Sequence, residues 1–206
     1  GNPTEMALLK YLHMCEVPIL GTRNKFKKSF QATFTSDRKR MSTVVTLEEG
    51  KHFVFIKGAS EYILQLSNKF LEIQSGKVES LSLEAKKKVD EAIESMASKA
   101  LRTIGIAYKE LSSLNEIKPD AVDEKGIFEY EREGFTLVGI CGIKDIIRPE
   151  VPEAIRKCNK AGIQVKMVTG DNKTTARAIA KEVGIINSNN EKKALVMEGP
   201  EFLRKI

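Results

Sequence analysis

The stretch Thr43–Ser60, TVVTLEEGKHFVFIKGAS, decides the reading of the fold. Two runs rich in β-branched and aromatic residues, Thr43–Leu47 and His52–Ile56, flank Glu49-Gly50, a polar pair suited to a chain reversal. That pattern predicts consecutive antiparallel strands. Phe26–Phe34 reads as another strand ahead of them, set off by Asp37-Arg38-Lys39. Lys57-Gly58-Ala59 stands where strand gives way to a predicted helix, Ala59–Leu66. Gly58 permits close backbone approach there, and Lys57 has two readings: a solvated strand terminus, or an ammonium offered to an anion.

Outward toward the start, Met6, Leu8, Leu9 and Leu12 recur at three- and four-residue spacing with Pro3 ahead of them, which predicts a short amphipathic helix over Thr4–His13. In the other direction, Phe70–Ile73 and Val78 around Ser75-Gly76 read as a small hairpin. Leu83–Ala100 reads as a helix with Val89, Ile93, Met96, Ala97 and Ala100 on one stripe. Arg102–Tyr108 and Phe135–Ile143 add two strands, separated by the polar surface excursion Ser112–Gly126. After Asp145 the pattern alternates: helix Val151–Ala161, strand Val165–Val168, helix Thr174–Val183, strand Ala194–Met197, and a helical turn over Pro200–Arg204. Such alternation predicts a parallel layer. The expected fold is therefore an α+β antiparallel-sheet domain over residues 1–144, followed by an incomplete α/β segment over 145–206.

The 206 residues carry 34 Lys+Arg against 28 Asp+Glu, a net charge of +6. Those cations are mostly interspersed with acids, and Lys86–Lys88 lacks aromatic interleaving, so the charge reads as a solvated face and not as a nucleic-acid surface. Phe135–Ile147, the longest apolar stretch, is broken by Lys144 and Asp145 and falls short of the ~20 residues a spanning helix needs. No secretory leader is expected, and a start at Gly1-Asn2-Pro3 is expected of a piece of a longer protein. Cys15, Cys141 and Cys158 form no C-x-x-C pair and are expected as reduced, mostly buried thiols; no metal site is expected.

Three further segments carry candidate chemistry. Phe34-Thr35-Ser36-Asp37-Arg38-Lys39-Arg40 sets an aromatic ring before a cluster of cations. The ring can stack on a base while Lys39 meets phosphate, or it can be a core residue beside a charged turn. Arg102 opens a strand and can reach either a phosphate or a neighbouring carboxylate. Met167-Val168-Thr169-Gly170-Asp171-Asn172 runs from predicted strand into helix, where phosphate sites of open α/β sheets tend to lie, and Asp171 or Asn172 can equally cap that helix.

Taken in order, Gly1–Glu5, the Phe34 segment, Lys57–Glu61, Leu101-Arg102-Thr103, Asp145–Pro152 and Met167–Asn172 closely resemble the cytosolic head of P-type cation-transporting ATPases. Lys57–Glu61, Arg148–Pro152 and Thr175–Ala180 are most similar to calcium pumps of the plasma-membrane type. The resemblance implies a nucleotide-binding domain over 1–144 and part of a haloacid-dehalogenase-like phosphorylation domain over 145–206. It implies that Phe34 stacks on adenine, that Glu5 bonds the adenine edge, that Lys57 and Gly58 line the base pocket, and that Lys39 and Arg102 contact phosphates. Thr169, Gly170 and Asp171 would hold the γ-phosphate, with Asp145 and Arg148 at the hinge side. Position 36 is Ser where some relatives carry Arg, so the resemblance does not carry over the phosphate contact at that position.

Neither the D-K-T-G-T motif of the phosphorylated aspartate nor the G-D-G-x-N-D motif of the magnesium-binding acid occurs here. Aspartyl-phosphate chemistry needs both an in-line carboxylate and a metal. The implied role is thus to bind ATP and present it to an aspartate elsewhere, with Mg2+ held mostly by the parent, and the chain alone inactive. The implied parent is an integral membrane protein moving calcium across the plasma membrane or an internal store, with this chain on its cytosolic side and the pump's remaining domains as partners. A non-catalytic regulatory surface and a dehalogenase-type phosphatase are the rival readings.

Overall fold

Helix α1 (Pro3–Met14) begins at a built-in start signal: the Asn2 side chain accepts the Thr4 N–H at 3.0 Å, and Pro3 fills the first turn, where its missing donor is not needed. The computed structural model describes Asn2–Lys205; Gly1 and Ile206, which belong to two of the segments read above, lie outside the described residues. Helix α2 (Ile19–Asn24) is too short to show a period and has no counterpart in the sequence expectations. Then β1 (Lys27–Ala32), β2 (Arg40–Thr46) and β3 (His52–Ala59) pair antiparallel in succession. They are followed by α3 (Ser60–Leu66), β4 (Ser67–Leu71), β5 (Val78–Ser80), α4 (Leu83–Ser98), β6 (Leu101–Leu111) and β7 (Phe135–Lys144).

The seven strands form one sheet in the order β1-β2-β3-β6-β7-β4-β5. It is mixed, which corrects the expectation of a purely antiparallel sheet: β4 runs parallel to β7, with Phe70 opposite Leu137. The reason is the connection. β5, α4 and β6 intervene between β4 and β7, and only such a long crossover brings a strand back in the same direction.

The chain divides into two compact units, the first taking the residues up to Glu91 with Thr103–Ile143, the second Ala92–Arg102 with the residues from Lys144 onward. In the first unit, β3 alternates: Val54 and Ile56 are fully buried, while Phe53, Phe55 and Lys57 occupy the other face. Ile63 of α3 packs so closely on β6 that a Cβ at Gly105 would lie 2.7 Å from the Ile63 Cβ. Glycine is what lets the helix seat there.

Beside this apolar core lies a polar one. Arg38 and Glu131, 5% and 0% exposed, form an ion pair at 2.5 Å, and the Ser42 hydroxyl donates to the same carboxylate oxygen. Tyr130 stands 3.1 Å from the Ser42 hydroxyl, and burial pushes its phenol up to about 12. Arg40 is also buried; burial lowers its affinity for the proton, and its Nε donates to the Arg38 peptide oxygen at 3.0 Å. Removing one partner of such a buried pair costs about 3–5 kcal/mol, because the other charge is left uncompensated.

The second unit contains α5 (Glu150–Lys160), α6 (Lys173–Glu182) and α7 (Gly199–Leu203). The helices stand where the alternation puts them. Its strands do not: Val165–Val168 and Ala194–Met197 join no ladder, and Val168 and Leu195 are 97% and 82% exposed. A parallel strand is held by neighbours on its flanks, and among the described residues nothing pairs with either segment. The expected α/β layer is therefore present as helices without a sheet.

The cysteines are free, but not mostly buried as expected: Cys15 is exposed, and Cys141 and Cys158 are half-buried. Cys15 terminates α1, a helix that buries none of its residues. No helix among the described residues is long and apolar enough to cross a membrane.

Candidate functional site

In the first unit a charge pair on an open face joins α1 to β3. Lys57 Nζ donates to Glu5 Oε1 at 2.8 Å, tying the first turn of α1 to the end of β3. The hydrogen bond and charge of Lys57 hold the Glu5 carboxyl below its usual value. Both side chains stay accessible, 30% and 42% exposed, so the pair presents a polarised ammonium to solvent. Register sets Met41 of β2 and Ile106 of β6 on either side of Lys57.

Gly58 answers the need for close approach. A Cβ there would fall 2.3 Å from the Lys39 peptide oxygen and 2.8 Å from the Arg40 Cα. The Ala59 N–H donates to that same Lys39 oxygen at 3.0 Å, and Lys39 itself adopts a left-handed φ of 55°. The β2–β3 contact thus fixes the backbone of the residue expected to meet phosphate.

Phe34 lies outside β1, which ends at Ala32, and is 53% exposed. It is no core residue. The exposure leaves a ring face open to stacking, while neither a hydrogen bond nor a ring contact among the described residues joins Phe34 to Lys57. Two concavities, an open groove of about 700 Å³ along α1 including Met6, Leu9 and His13, and one of about 410 Å³ between Ile155 and Val183, contain neither residue.

In the second unit, Arg102 Nε donates to Asp171 Oδ1 at 2.7 Å, and the Thr169 hydroxyl donates to Asp171 Oδ2 at 2.8 Å. The Asp171 side chain is 9% exposed. Burial alone would raise its carboxyl, but the hydrogen bonds from Arg102 and Thr169 and the Arg102 charge outweigh it, and the net shift is downward. The hydrogen bond to Asp171 raises Arg102 in turn, with a further contribution from the Asp145 charge. Asn172, not Asp171, caps α6, its side chain accepting the Thr175 N–H at 2.8 Å. Gly170, Asp145 and Arg148 are exposed. Of the expected residues, then, the structure joins Glu5 with Lys57, Lys39 with Gly58, and Arg102 with Asp171 and Thr169; Arg102 belongs to the second unit, the other nucleotide candidates to the first.

An aromatic row was missed in the sequence. Phe26, Phe55, Phe53 and Tyr108 contact one another at centroid distances of 6.2–6.3 Å, on the face that carries Lys57. The signal lay in the two-residue period of Phe53, Phe55 and Lys57. Glu131 was missed as well, and no local pattern marks a buried carboxylate.

With this geometry in hand, the class follows from comparison: residues 1–150 match the family model for P-type ATPase, cytoplasmic domain N, and the chain belongs to that family. Its whole length is also similar to plasma membrane calcium-transporting ATPase 1 of Gallus gallus, with 40% identity over 209 residues, 100% of this chain and 17% of that protein. It is 38% identical over 208 residues to calcium-transporting ATPase 10, plasma membrane-type, of Oryza sativa subsp. japonica, again over 100% of the chain and 19% of the relative. Plasma membrane calcium-transporting ATPase 4 of Bos taurus shares 40% identity over 209 residues, 100% and 17% of the two proteins. The chain thus spans less than a fifth of the length of these relatives.

Proposed function

We propose that this chain is the ATP-binding module of a calcium-transporting P-type ATPase, delivering the γ-phosphate to an aspartate outside the 206 residues. Residues 1–144 act as the nucleotide-binding domain and 145–206 as part of the phosphorylation domain. The parent is an ATP-hydrolysing pump of a plasma or internal membrane, and this piece works on the cytosolic side beside the pump's other domains.

The observation that carries the reading is Phe34, a large apolar ring left half in solvent on a segment whose backbone is otherwise tightly held. Burying one of its faces under a purine removes apolar area from water and adds a stacking term of about 0.5–1.5 kcal/mol. Lys57, oriented by Glu5, supplies a donor to the base, and Lys39 supplies charge to the phosphates. In the second unit, Arg102, Asp171, Thr169 and Gly170, with Asp145 and Arg148, form the phosphate-handling group. For Arg102 to hold a phosphate it must exchange one carboxylate oxygen for a phosphoryl oxygen, a like-for-like swap for a guanidinium. ATP hydrolysis in the parent requires Mg2+, which neutralises charge on the transferring group. Mg2+ in nucleotide sites is held by one or two carboxylates together with the phosphates themselves, and its protein ligands are assigned mostly to the parent, outside these 206 residues.

An open face with one stacking ring and a few cations binds weakly, at about 0.1–1 mM, or roughly −4 to −5.5 kcal/mol. Calorimetric titration of ATP into the chain tests this. Binding in that range, lost on Phe34→Ala with Lys57→Ala, is expected; identical heats for wild type and double variant contradict it.

A further inference from the structure

Phe34 is exposed, but what holds it is buried. The residues on either side of it in sequence are both fixed by Arg38: its guanidinium Nη1 donates to the Thr33 peptide oxygen, and its backbone N–H donates to the Thr35 hydroxyl at 3.2 Å. The Lys39 N–H closes the same turn on the Thr35 peptide oxygen at 3.0 Å. Arg38 is held in its turn by Glu131, whose Oε1 accepts from Nη2 at 2.5 Å. Glu131 is fully buried and satisfied on both oxygens: Ser42 Oγ donates to Oε1 at 2.5 Å, and the Phe128 N–H donates to Oε2 at 3.1 Å. The Phe128 ring lies 5.5 Å from the guanidinium carbon and completes the socket.

A buried ion pair is a poor choice if stability alone is at stake, since apolar residues of the same volume often do as well or better. What a guanidinium–carboxylate pair adds is direction. Its planar fork fixes where each donor points, and here one donor points at the peptide immediately before Phe34.

We propose that Glu131, acting through Arg38, is a positioning residue for nucleotide recognition: it sets the Thr33–Lys39 turn so that Phe34 and Lys39 are presented in a single geometry. The inference rests on the nucleotide-binding reading above and adds a determinant 93 positions from Arg38 in sequence that never meets the ligand. Its consequence is that the contribution of Phe34 exists only while Glu131 holds Arg38.

A double-mutant cycle tests this, with ATP titrated calorimetrically into the 206-residue chain. Phe34→Ala alone is expected to weaken binding by about two- to tenfold. Glu131→Gln, which keeps the shape and removes the charge, is expected to weaken it similarly, and adding Phe34→Ala on that background should change affinity by less than about twofold, the mark of residues acting as a unit. A merely structural role leaves the Phe34→Ala effect undiminished in a folded Glu131→Gln chain, and that result overturns the proposal. If Glu131→Gln does not fold, Thr35→Val decides: its side chain is on an exposed residue, it removes one of the holds on the turn, and the Phe34→Ala effect should shrink on it too; a full-sized effect there also overturns the proposal. A Phe34→Ala chain that binds ATP as wild type does contradicts the nucleotide reading itself, so the two failures are told apart.

Discussion

Replacing Gly58 by alanine should damage stability and ligand binding together. The added Cβ would sit 2.3 Å from the Lys39 peptide oxygen, 2.8 Å from the Arg40 Cα and 2.9 Å from its Cβ. The first of these is roughly 1 Å inside an ordinary contact. Two of the three obstacles are backbone, so no rotamer change relieves them; β2 and β3 must part. Overpacking of this kind costs about 1–3 kcal/mol. Separation also weakens the 3.0 Å bond from the Ala59 N–H to the Lys39 oxygen, worth about 0.5–1.5 kcal/mol net. Alanine restricts the unfolded chain and returns about 0.4–1 kcal/mol. The net loss is about 0.5–4 kcal/mol, which lowers the melting temperature of a chain this size by roughly 5–10 °C at mid-range. Circular dichroism melts of Gly58→Ala beside Gly139→Ala, where a Cβ meets nothing within 4 Å, isolate the steric term. An unchanged melt for Gly58→Ala refutes the reasoning. ATP affinity should fall in the same variant, because Lys39 immediately precedes the strand that moves.

Lys57→Glu sets a second carboxylate beside Glu5 and reverses the charge offered to the ligand; a calorimetric loss of at least about tenfold in ATP affinity is expected, more than Phe34→Ala produces. Asp171 titrates below the ordinary aspartate value of about 3.9, so its pairing with Arg102 contributes stability above that pH and loses it as pH falls through the depressed value. Carboxyl-carbon NMR should show this, and Arg102→Ala should carry Asp171 upward, since burial then acts against fewer opposing interactions. Maleimide labelling should modify Cys15 ahead of Cys141 and Cys158, whose accessibility is lower; equal rates contradict the placement of Cys15 at the exposed end of α1.

Much of the local structure was legible because it depends on neighbours in sequence. Pro3 marks the opening turn of α1 by its own chemistry, and the alternation through His52–Lys57 sets which side chains of β3 face inward. The sheet's parallel pair was not legible, since the partner of β4 is chosen by a crossover that ends far along the chain. Val165–Val168 and Ala194–Met197 carry strand-like composition, yet composition supplies no partner, and without one they remain unpaired. Among the candidate residues, Lys57, Gly58 and the Thr169–Asn172 turn announced themselves by type and position. Arg38 and Arg40 did not: in a run of cations they read as a solvated turn, and the carboxylate that offsets their burial, Glu131, is distant in sequence. The same distance hides the Arg102–Asp171 pair.

Nucleotide recognition by this chain turns on a purine lying against Phe34. Intermolecular nuclear Overhauser effects, recorded on the chain at saturating ATP, test that contact directly. Cross-peaks from adenine H2 or H8 to the Phe34 ring protons are the expected result. Adenine cross-peaks confined to other aromatic residues, or none at a concentration where calorimetry shows the chain fully bound, contradict it.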